Sequence, residues 1–153
     1  MKLIPIILLT LSLAGVPALS QDAASNQGKY SVAGLDNARE VDEFFLSFKA
    51  AVTKDDKQAV AAMVSYPIDV SLTNGRRVKL RSKAAFIKSY DAIFGKAFRQ
   101  FIAQAKVEDL WAKYSGVATP GGEIWINGVS RNPKREKFQI KITTINGMPD
   151  RGK

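Results

Sequence analysis

Hydrophobic residues between positions 36 and 66 repeat at the spacing of an α-helix. The first run places its apolar side chains within about 100° of arc, at Val41, Phe44, Phe45, Phe48 and Val52. A second run, which Asp55 or Asp56 can cap, turns three apolar residues inward, namely Val60, Met63 and Val64. Pro67 ends this run because a proline disfavours helical angles in the residue before it. The pattern predicts two consecutive helices.

Alternating apolar residues then flank the dipeptide Asn74-Gly75, at Val70 and Leu72 before it and at Val78 and Leu80 after it. An Asn-Gly pair between two alternating arms is a strong signal for a β-hairpin. Ser82 next caps a helix with one apolar face, formed by Phe86, Tyr90, Ile93 and Phe94. After an interruption at Gly95, helical spacing resumes at Phe98, Phe101, Ile102 and Ala105.

The last third of the chain predicts strands over residues 107–118, 123–127 and 137–145. Helices and strands are therefore segregated along the chain. This order favours a single α+β domain over residues 35–146, in which helices cover one face of a curved antiparallel sheet. Residues 21–34 are small, polar and aperiodic, which predicts a flexible leader, and residues 147–153 are expected to form a C-terminal tail.

The first 20 residues have the layout of a secretory signal peptide. Lys2 precedes an apolar run from Leu3 to Leu13, and small residues follow it. This run falls short of the roughly 20 apolar residues that span a bilayer. We therefore expect cleavage after Ser20, with Ala18 as the weaker alternative, and no transmembrane segment in the product. That product would be a bacterial periplasmic or secreted protein of 133 residues with a net charge of +8.

Composition narrows the chemistry further. The chain has no Cys and no His, which excludes thiol nucleophiles, serine–histidine triads and imidazole metal sites. No acidic spacing resembles a calcium loop and no glycine pattern resembles a phosphate loop, so we expect neither a metal nor a cofactor. The 23 basic against 14 acidic residues indicate an anionic partner. Because export is expected, that partner should not be nucleic acid.

Several short motifs along residues 36–146 resemble the nuclear transport factor 2-like superfamily, and more narrowly its small exported bacterial members. They are Ser65-Tyr66-Pro67, the hairpin, Phe86-x-x-x-Tyr90-Asp91-x-Ile93-Phe94 and Gly122-Glu123-Ile124-Trp125-Ile126. The resemblance implies a cone of the nuclear transport factor 2-like or cystatin-like kind, in which a curved sheet wraps around helices and leaves a cavity at the wide end. Its members include isomerases, cyclases and dehydratases as well as non-catalytic binding domains, so the resemblance leaves function open.

Tyr90 and Asp91 are candidate catalytic residues, because isomerases of the cone fold use a tyrosine and an aspartate. Such catalysis needs a carboxyl with a raised pKa in an apolar pocket, beside a tyrosine hydroxyl. Glu123 is the other candidate carboxylate. On the predicted helix, Asp91 lies about 100° from Tyr90, at the edge of the apolar stripe. This placement favours a core tyrosine and a boundary carboxylate that pairs with Lys88 or another base.

The strand predicted over residues 123–127 combines an aliphatic face with a polar and aromatic one. Its residues alternate in the order Glu123, Ile124, Trp125, Ile126 and Asn127. The mixed face could line a cavity, with Trp125 as a platform for a flat or sugar-like ligand and Tyr66 and Trp111 as further walls. It could equally be the outer face of the sheet, where an aromatic residue pairs across strands or meets a second copy in a homodimer. We favour the outer face.

Basic residues are concentrated in two places. Five lie on or beside the predicted hairpin, at Arg76, Arg77, Lys79, Arg81 and Lys83. A second cluster surrounds the turn Asn132-Pro133, at Arg131, Lys134, Arg135 and Lys137, with Lys141 beyond. Such surfaces attract anions, although a solvated basic face also simply keeps a protein soluble. For an exported chain, anionic envelope lipids, cell-wall polymers or an acidic protein are the expected partners.

Three functions remain open from the sequence. The leading one is an exported, non-catalytic binding domain that holds an anionic ligand or partner in its cavity or on its basic hairpin. The second is a small isomerase, cyclase or dehydratase that uses Asp91 or Glu123 with a tyrosine. The third is an inhibitor or immunity-type protein that blocks a partner enzyme.

Overall fold

The computed structural model describes residues 28–130 and 138–148. The predicted signal peptide, the first half of the predicted leader, most of the predicted tail, and the second basic cluster apart from Lys141 lie outside these residues. The described helices are α1 (Ala38–Thr53), α2 (Lys57–Ala62), α3 (Lys83–Ile93) and α4 (Lys96–Gln104), with 3₁₀ helices at Ser31–Ala33 and Val107–Asp109. Side chains of Asp56 and Ser82 accept backbone N–H groups at the starts of α2 and α3. Both predicted caps are therefore confirmed.

Six strands form one sheet in the described part of the chain. They are β1 (Val64–Ser71), β2 (Arg77–Leu80), β3 (Trp111–Lys113), β4 (Gly116–Ala118), β5 (Ile124–Val129) and β6 (Gln139–Ile145). Their order across the sheet is β2-β1-β6-β5-β4-β3, so β2 and β3 are its two edges and the sheet is not closed. The fold is α+β, as the segregation of helices and strands predicts.

The prediction of a wholly antiparallel sheet is wrong, because β1 pairs with β6 in parallel. The other four pairings are antiparallel. Turn signals identify strands that are neighbours along the chain, whereas β1 and β6 are separated by most of the domain and no local pattern specifies their pairing. The register of this pair shifts between Val64 and Asp69, around Pro67, which has no N–H to donate to a ladder.

The predicted single strand over residues 107–118 is also wrong. Its first residues form the second 3₁₀ helix, and a turn at Tyr114 and Ser115 separates β3 from β4. Gly116 follows this turn with φ +130°, and the carbonyl oxygen of Ile126 lies 2.6 Å from where a Cβ would stand. Only glycine fits there. The first strand begins earlier than predicted, at Val64, which the helical period assigns to α2.

The core lies between the helices and one face of the sheet. The helices contribute a group of aromatic rings that contact one another, among them Phe45, Phe48, Phe86, Phe94 and Phe98. The sheet contributes alternate residues, all fully buried, at Ile124, Ile126, Ile142 and Ile145. We call the opposite side of the sheet the outer face.

Residues 28–34 belong to the folded domain, so the prediction of a flexible leader is wrong for this stretch. Tyr30 is fully buried, and its hydroxyl donates a hydrogen bond to Asp42 at 2.6 Å. Lys29 donates to the backbone carbonyl of Val107 at 2.7 Å. A single aromatic anchor in a polar segment produces no periodic pattern, which is why the sequence did not indicate it.

Candidate functional site

Asp91, the predicted catalytic carboxylate, lies at the surface in an ion-pair cluster. Its side chain is 69% exposed and pairs with Lys57 at 2.7 Å and with Arg99 at 2.9 Å. The hydrogen bond from Lys57, with the charges of both cations, holds the pKa of Asp91 below its ordinary value. A general acid needs the opposite shift. The sequence prediction that Asp91 pairs with a base is confirmed, although the bases are Lys57 and Arg99 and not Lys88.

Tyr90 lies in the core beside this cluster. Its ring contacts Phe94, with centroids 4.6 Å apart, while the charged groups of Lys57 and Arg99 each lie 5.4 Å from the ring centroid. Burial raises the pKa of Tyr90 to about 12. Its hydroxyl is buried and finds no hydrogen-bond partner among the described residues. The sequence prediction of a core tyrosine is confirmed.

Arg99 organises the cluster, and no sequence pattern identified it. Its guanidinium donates to the Phe94 carbonyl at 2.6 Å, to Asp55 at 2.6 Å and to Asp91 at 2.9 Å. One side chain thus joins the α1–α2 turn, helix α3 and helix α4. Arg99 follows Asp91 by eight residues, but the chain breaks between α3 and α4 in that interval. Because the geometry of this break brings the two side chains together, their spacing in the sequence does not predict the contact.

Glu123 stabilises a turn. Its carboxylate accepts hydrogen bonds from the Thr119 hydroxyl at 2.6 Å and from the Gly121 N–H at 3.1 Å. Its backbone carbonyl accepts from the Asn146 N–H at 2.8 Å. These bonds connect the β4–β5 turn to the end of β6, and one carboxylate oxygen of Glu123, Oε2, accepts both side-chain bonds.

Tyr66 lies apart from the other predicted ligand residues. Its ring packs edge-to-face against Phe86 in the core, and its hydroxyl donates to the Ala61 carbonyl at 2.9 Å. Burial raises its pKa to about 12. Tyr66 therefore does not share a wall with Trp111 and Trp125, and the expectation that the three line one cavity is wrong. The sequence does not show which face of β1 carries Tyr66, so it does not predict that this side chain packs against the core.

A continuous row of residues crosses the outer face from one edge of the sheet to the other. Each residue of this row lies directly opposite the next one on the neighbouring strand. From β3 to β2 the row is Trp111, Ala118, Trp125, Thr144, Asp69 and Lys79. Directly opposed residues share a face, and the neighbours Ile124 and Ile126 are buried on the core side. Of the two positions that the sequence left open for Trp125, the outer face is the one it occupies.

The two tryptophans and a lysine form an aromatic platform on this face. The rings of Trp111 and Trp125 meet edge-to-face, with centroids 5.4 Å apart and planes at 82°. The Trp111 indole N–H donates to the carbonyls of Thr119 and Pro120, at 2.9 and 3.2 Å, which fixes that ring. The Lys113 ammonium lies 4.7 Å from the Trp125 centroid and 5.7 Å from that of Trp111, within range for a cation–π interaction.

A concavity of about 220 Å³ opens beside this platform, and we call it the tryptophan concavity. Its lining residues are Lys113, Ser115, Trp125, Thr143 and Thr144. Asn127 shapes its rim, because its amide donates to the Ser115 carbonyl at 3.2 Å and accepts from the Gly128 N–H at 2.8 Å. Thr143 enters the lining because the β5–β6 register shifts beside Trp125. Apart from Trp125, sequence reasoning identified none of the five, since their proximity depends on that register.

The cations of the hairpin lie along the opposite edge of the sheet, and we call this surface the basic edge. It consists of Arg76, Arg77, Lys79, Arg81 and Lys83, all of them exposed. Lys79 forms an ion pair with Asp69 at 3.6 Å, and it is the only one of the five with an ion-pair partner in the described residues. The sequence predicts that Arg77, Lys79 and Arg81 project from the hairpin, and all three are exposed. Lys83, which flanks them, is the first residue of α3.

Comparison with family models, curated proteins and solved structures finds no match to this chain. Within residues 28–130 and 138–148, no group of three acidic side chains is placed to hold a metal ion. Over the same ranges, no helix combines the length and the apolar character needed to cross a membrane.

Proposed function

We propose that this chain is a non-catalytic binding domain, exported from the cytoplasm, that holds an anionic ligand or partner on its basic edge. The observation that supports the proposal is the exposure of all five cations on and beside β2, with one ion pair among them in the part of the chain described. Clustered cations that lack acidic neighbours create a positive potential that attracts and steers anions. A periplasmic or secreted protein meets such anions in envelope lipids and cell-wall polymers.

The resemblance to the nuclear transport factor 2-like superfamily belongs to the same proposal. Its cone and the cavity at the wide end stay expectations, as does a homodimer formed through the sheet. The observed α+β order is compatible with them. Non-catalytic members of that superfamily would be the appropriate comparison for this chain.

The enzyme alternative has less support from the geometry. Asp91 is exposed and paired with two cations, which keeps it ionised, and Glu123 is hydrogen bonded to its own turn. Tyr90 is buried beneath the ion pairs. None of the three combines an apolar environment with access to a substrate, which general acid–base catalysis requires.

The basic edge also has a purely structural explanation, which an experiment must separate from binding. An edge strand exposes unpaired backbone groups, and charged side chains there prevent pairing with another chain. If protection of β2 were the whole role, removing the charges would promote association of the protein with itself and leave its affinity for anions unchanged.

The test compares two variants of equal charge. In the first, R77S/K79S/R81S removes three cations of the basic edge. In the second, K54S/K88S/K96S removes three exposed cations from the helical side, none with an ion-pair partner in the described residues. Binding is measured by cosedimentation with vesicles of an anionic phospholipid and by retention on an immobilised acidic polysaccharide, at low and high salt.

We expect the basic-edge variant to lose about 100-fold in affinity, since each interfacial cation near an anionic surface contributes about 1 kcal/mol and the variant lacks three of them. The helical-side variant should lose much less, and binding of the wild-type protein should weaken as salt rises. Preference for vesicles or for polysaccharide would identify the source of the anion. Equal losses in the two variants, or binding insensitive to salt, would contradict the proposal.

A further inference from the structure

We propose that the tryptophan concavity is a second binding site, and that it takes one carboxylate-bearing saccharide ring. The inference extends the binding function to the far end of the outer face and does not rest on the basic edge. It requires the outer face around Trp125 to stay free, so it excludes a homodimer formed through that part of the sheet. It follows from the chemistry of the lining residues, from the size of the concavity and from the distance between the concavity and the basic edge.

The lining offers the three kinds of contact that an acidic sugar needs. Trp125 supplies a partly exposed indole over which the Lys113 ammonium lies, so the apolar C–H face of a sugar ring would pack on the indole surface beside that ammonium. Ser115, Thr143 and Thr144 supply hydroxyl groups. The Thr143 hydroxyl donates to the Trp125 carbonyl at 3.5 Å and can accept from a sugar hydroxyl, whereas those of Ser115 and Thr144 can donate or accept. Lys113 supplies the one positive charge of the lining, and a carboxylate is the group that best satisfies it.

Lys113 is available for this role. It is exposed and forms no ion pair among the described residues, and its ammonium rests 4.7 Å from the Trp125 centroid. An ammonium over an aromatic ring keeps its donors free to bind a carboxylate at the edge of that ring. The sugar ring and its carboxylate would thus be recognised by adjacent groups that the sheet already holds together.

The size of the concavity suits a single sugar ring. Its volume is about 220 Å³, below the roughly 300–1,000 Å³ of sites that enclose drug-sized ligands. The indole of Trp111, with two hydrogen bonds from its N–H, lies outside the lining and packs against Trp125. A longer polymer could present one acidic unit to the concavity while the rest of its chain stays in solvent.

The site is electrostatically separate from the basic edge. Three strand spacings lie between Trp125 and Lys79 along the row that crosses the sheet, a distance of about 14 Å. This exceeds the screening length of about 8 Å at physiological ionic strength. A substitution at one site should therefore leave the charge interactions of the other unchanged.

Tryptophan fluorescence provides a direct test, because both tryptophans of the chain belong to the platform. The exported protein is titrated with sodium glucuronate, with glucose and with sodium benzoate at constant ionic strength. We expect a saturable change for glucuronate at the lowest concentration. Lys113→Gln should weaken glucuronate binding about five-fold, as expected for a partly exposed charged hydrogen bond, and should leave glucose binding unchanged. Lys88→Gln, on the helical side, is the matched control.

Three outcomes would overturn the inference. They are no saturable signal with glucuronate, tighter binding of benzoate than of glucuronate, and a stable dimer in sedimentation whose formation shields both tryptophans from a quencher. The same Lys113→Gln protein is tested on the anionic vesicles, where it should bind as the wild type does. The glucuronate titration tests the concavity only, so its failure leaves the proposed function standing. The vesicle assay on the basic-edge variant tests the proposed function only, so its failure leaves the concavity standing.

Discussion

Removing a single hydroxyl from Tyr90 should make the protein more stable. The hydroxyl is buried and lacks a hydrogen-bond partner among the described residues, so folding removes it from water without replacing the lost bonds. A buried unsatisfied polar group costs about 1–3 kcal/mol. The ring itself contributes apolar contacts with Phe86 and Phe94 and contacts with two cations, all of which phenylalanine retains.

We therefore expect Tyr90→Phe to raise the free energy of unfolding by about 1 kcal/mol. For a domain of this size the increase corresponds to about 3–5 °C in Tm. Urea denaturation followed by circular dichroism measures the free energy. The midpoint should rise while the slope with urea stays constant, because the surface exposed on unfolding does not change.

Two other tyrosines, the partly buried Tyr66 and the buried Tyr30, serve as controls. Tyr66→Phe removes a bond to a backbone carbonyl and should lower stability by about 1 kcal/mol, and Tyr30→Phe removes one to the carboxylate of Asp42 and should lower it by about 1.5–3 kcal/mol. The reasoning is refuted if Tyr90→Phe destabilises the protein as much as Tyr66→Phe does, since the Tyr90 hydroxyl would then have a partner.

Three further predictions concern the ion-pair cluster and the turns. Arg99→Met should lower the free energy of unfolding in urea by about 2 kcal/mol, because three acceptors lose their donor, and a loss as small as that of an exposed lysine would contradict it. Asp91 has a lowered pKa in the folded protein, so its stabilising contribution is present above its ordinary pKa and disappears as the pH falls through the lowered value. In Asp91→Asn, the free energy of unfolding should therefore fall less steeply with decreasing pH below about pH 4. The same steep fall in the variant as in the wild type would be evidence against the pairing. Gly116→Ala should cost about 2–3 kcal/mol, since a Cβ would meet the Ile126 carbonyl. Gly75→Ala, also at positive φ but in open space, should cost about 1 kcal/mol, and equal losses would show that the close contact is unimportant.

Local patterns predicted the helices, their caps and the hairpin. Asp56 and Ser82 cap helices because a side-chain oxygen satisfies N–H groups only a few residues away. The alternation around Trp125 likewise predicted that its side chain lies opposite to those of Ile124 and Ile126. Each of these features depends on atoms that are close in the chain, which is the range that a sequence pattern reports.

Features that depend on distant contacts escaped the sequence. The parallel pairing of β1 with β6, the anchoring of Tyr30 and the meeting of Arg99 with Asp55 each join residues that no period relates. The tryptophan concavity is the clearest case. Lys113 approaches Trp125 only because β4 pairs with both β3 and β5. The sequence therefore lists the residues of the candidate site but does not show that they lie close together.

Strand β6, the last of the described strands along the chain, occupies the middle of the sheet. Strand β6 lies between β1 and β5. Without residues 139–145, the hairpin β1–β2 and the meander β3–β4–β5 would share no hydrogen bonds, and the edges of β1 and β5 that β6 covers would be unpaired. Long-range pairing of this kind slows folding. The sheet is complete only once residues 139–145 have joined β1 to β5, so its assembly depends on the described strand that is synthesised last.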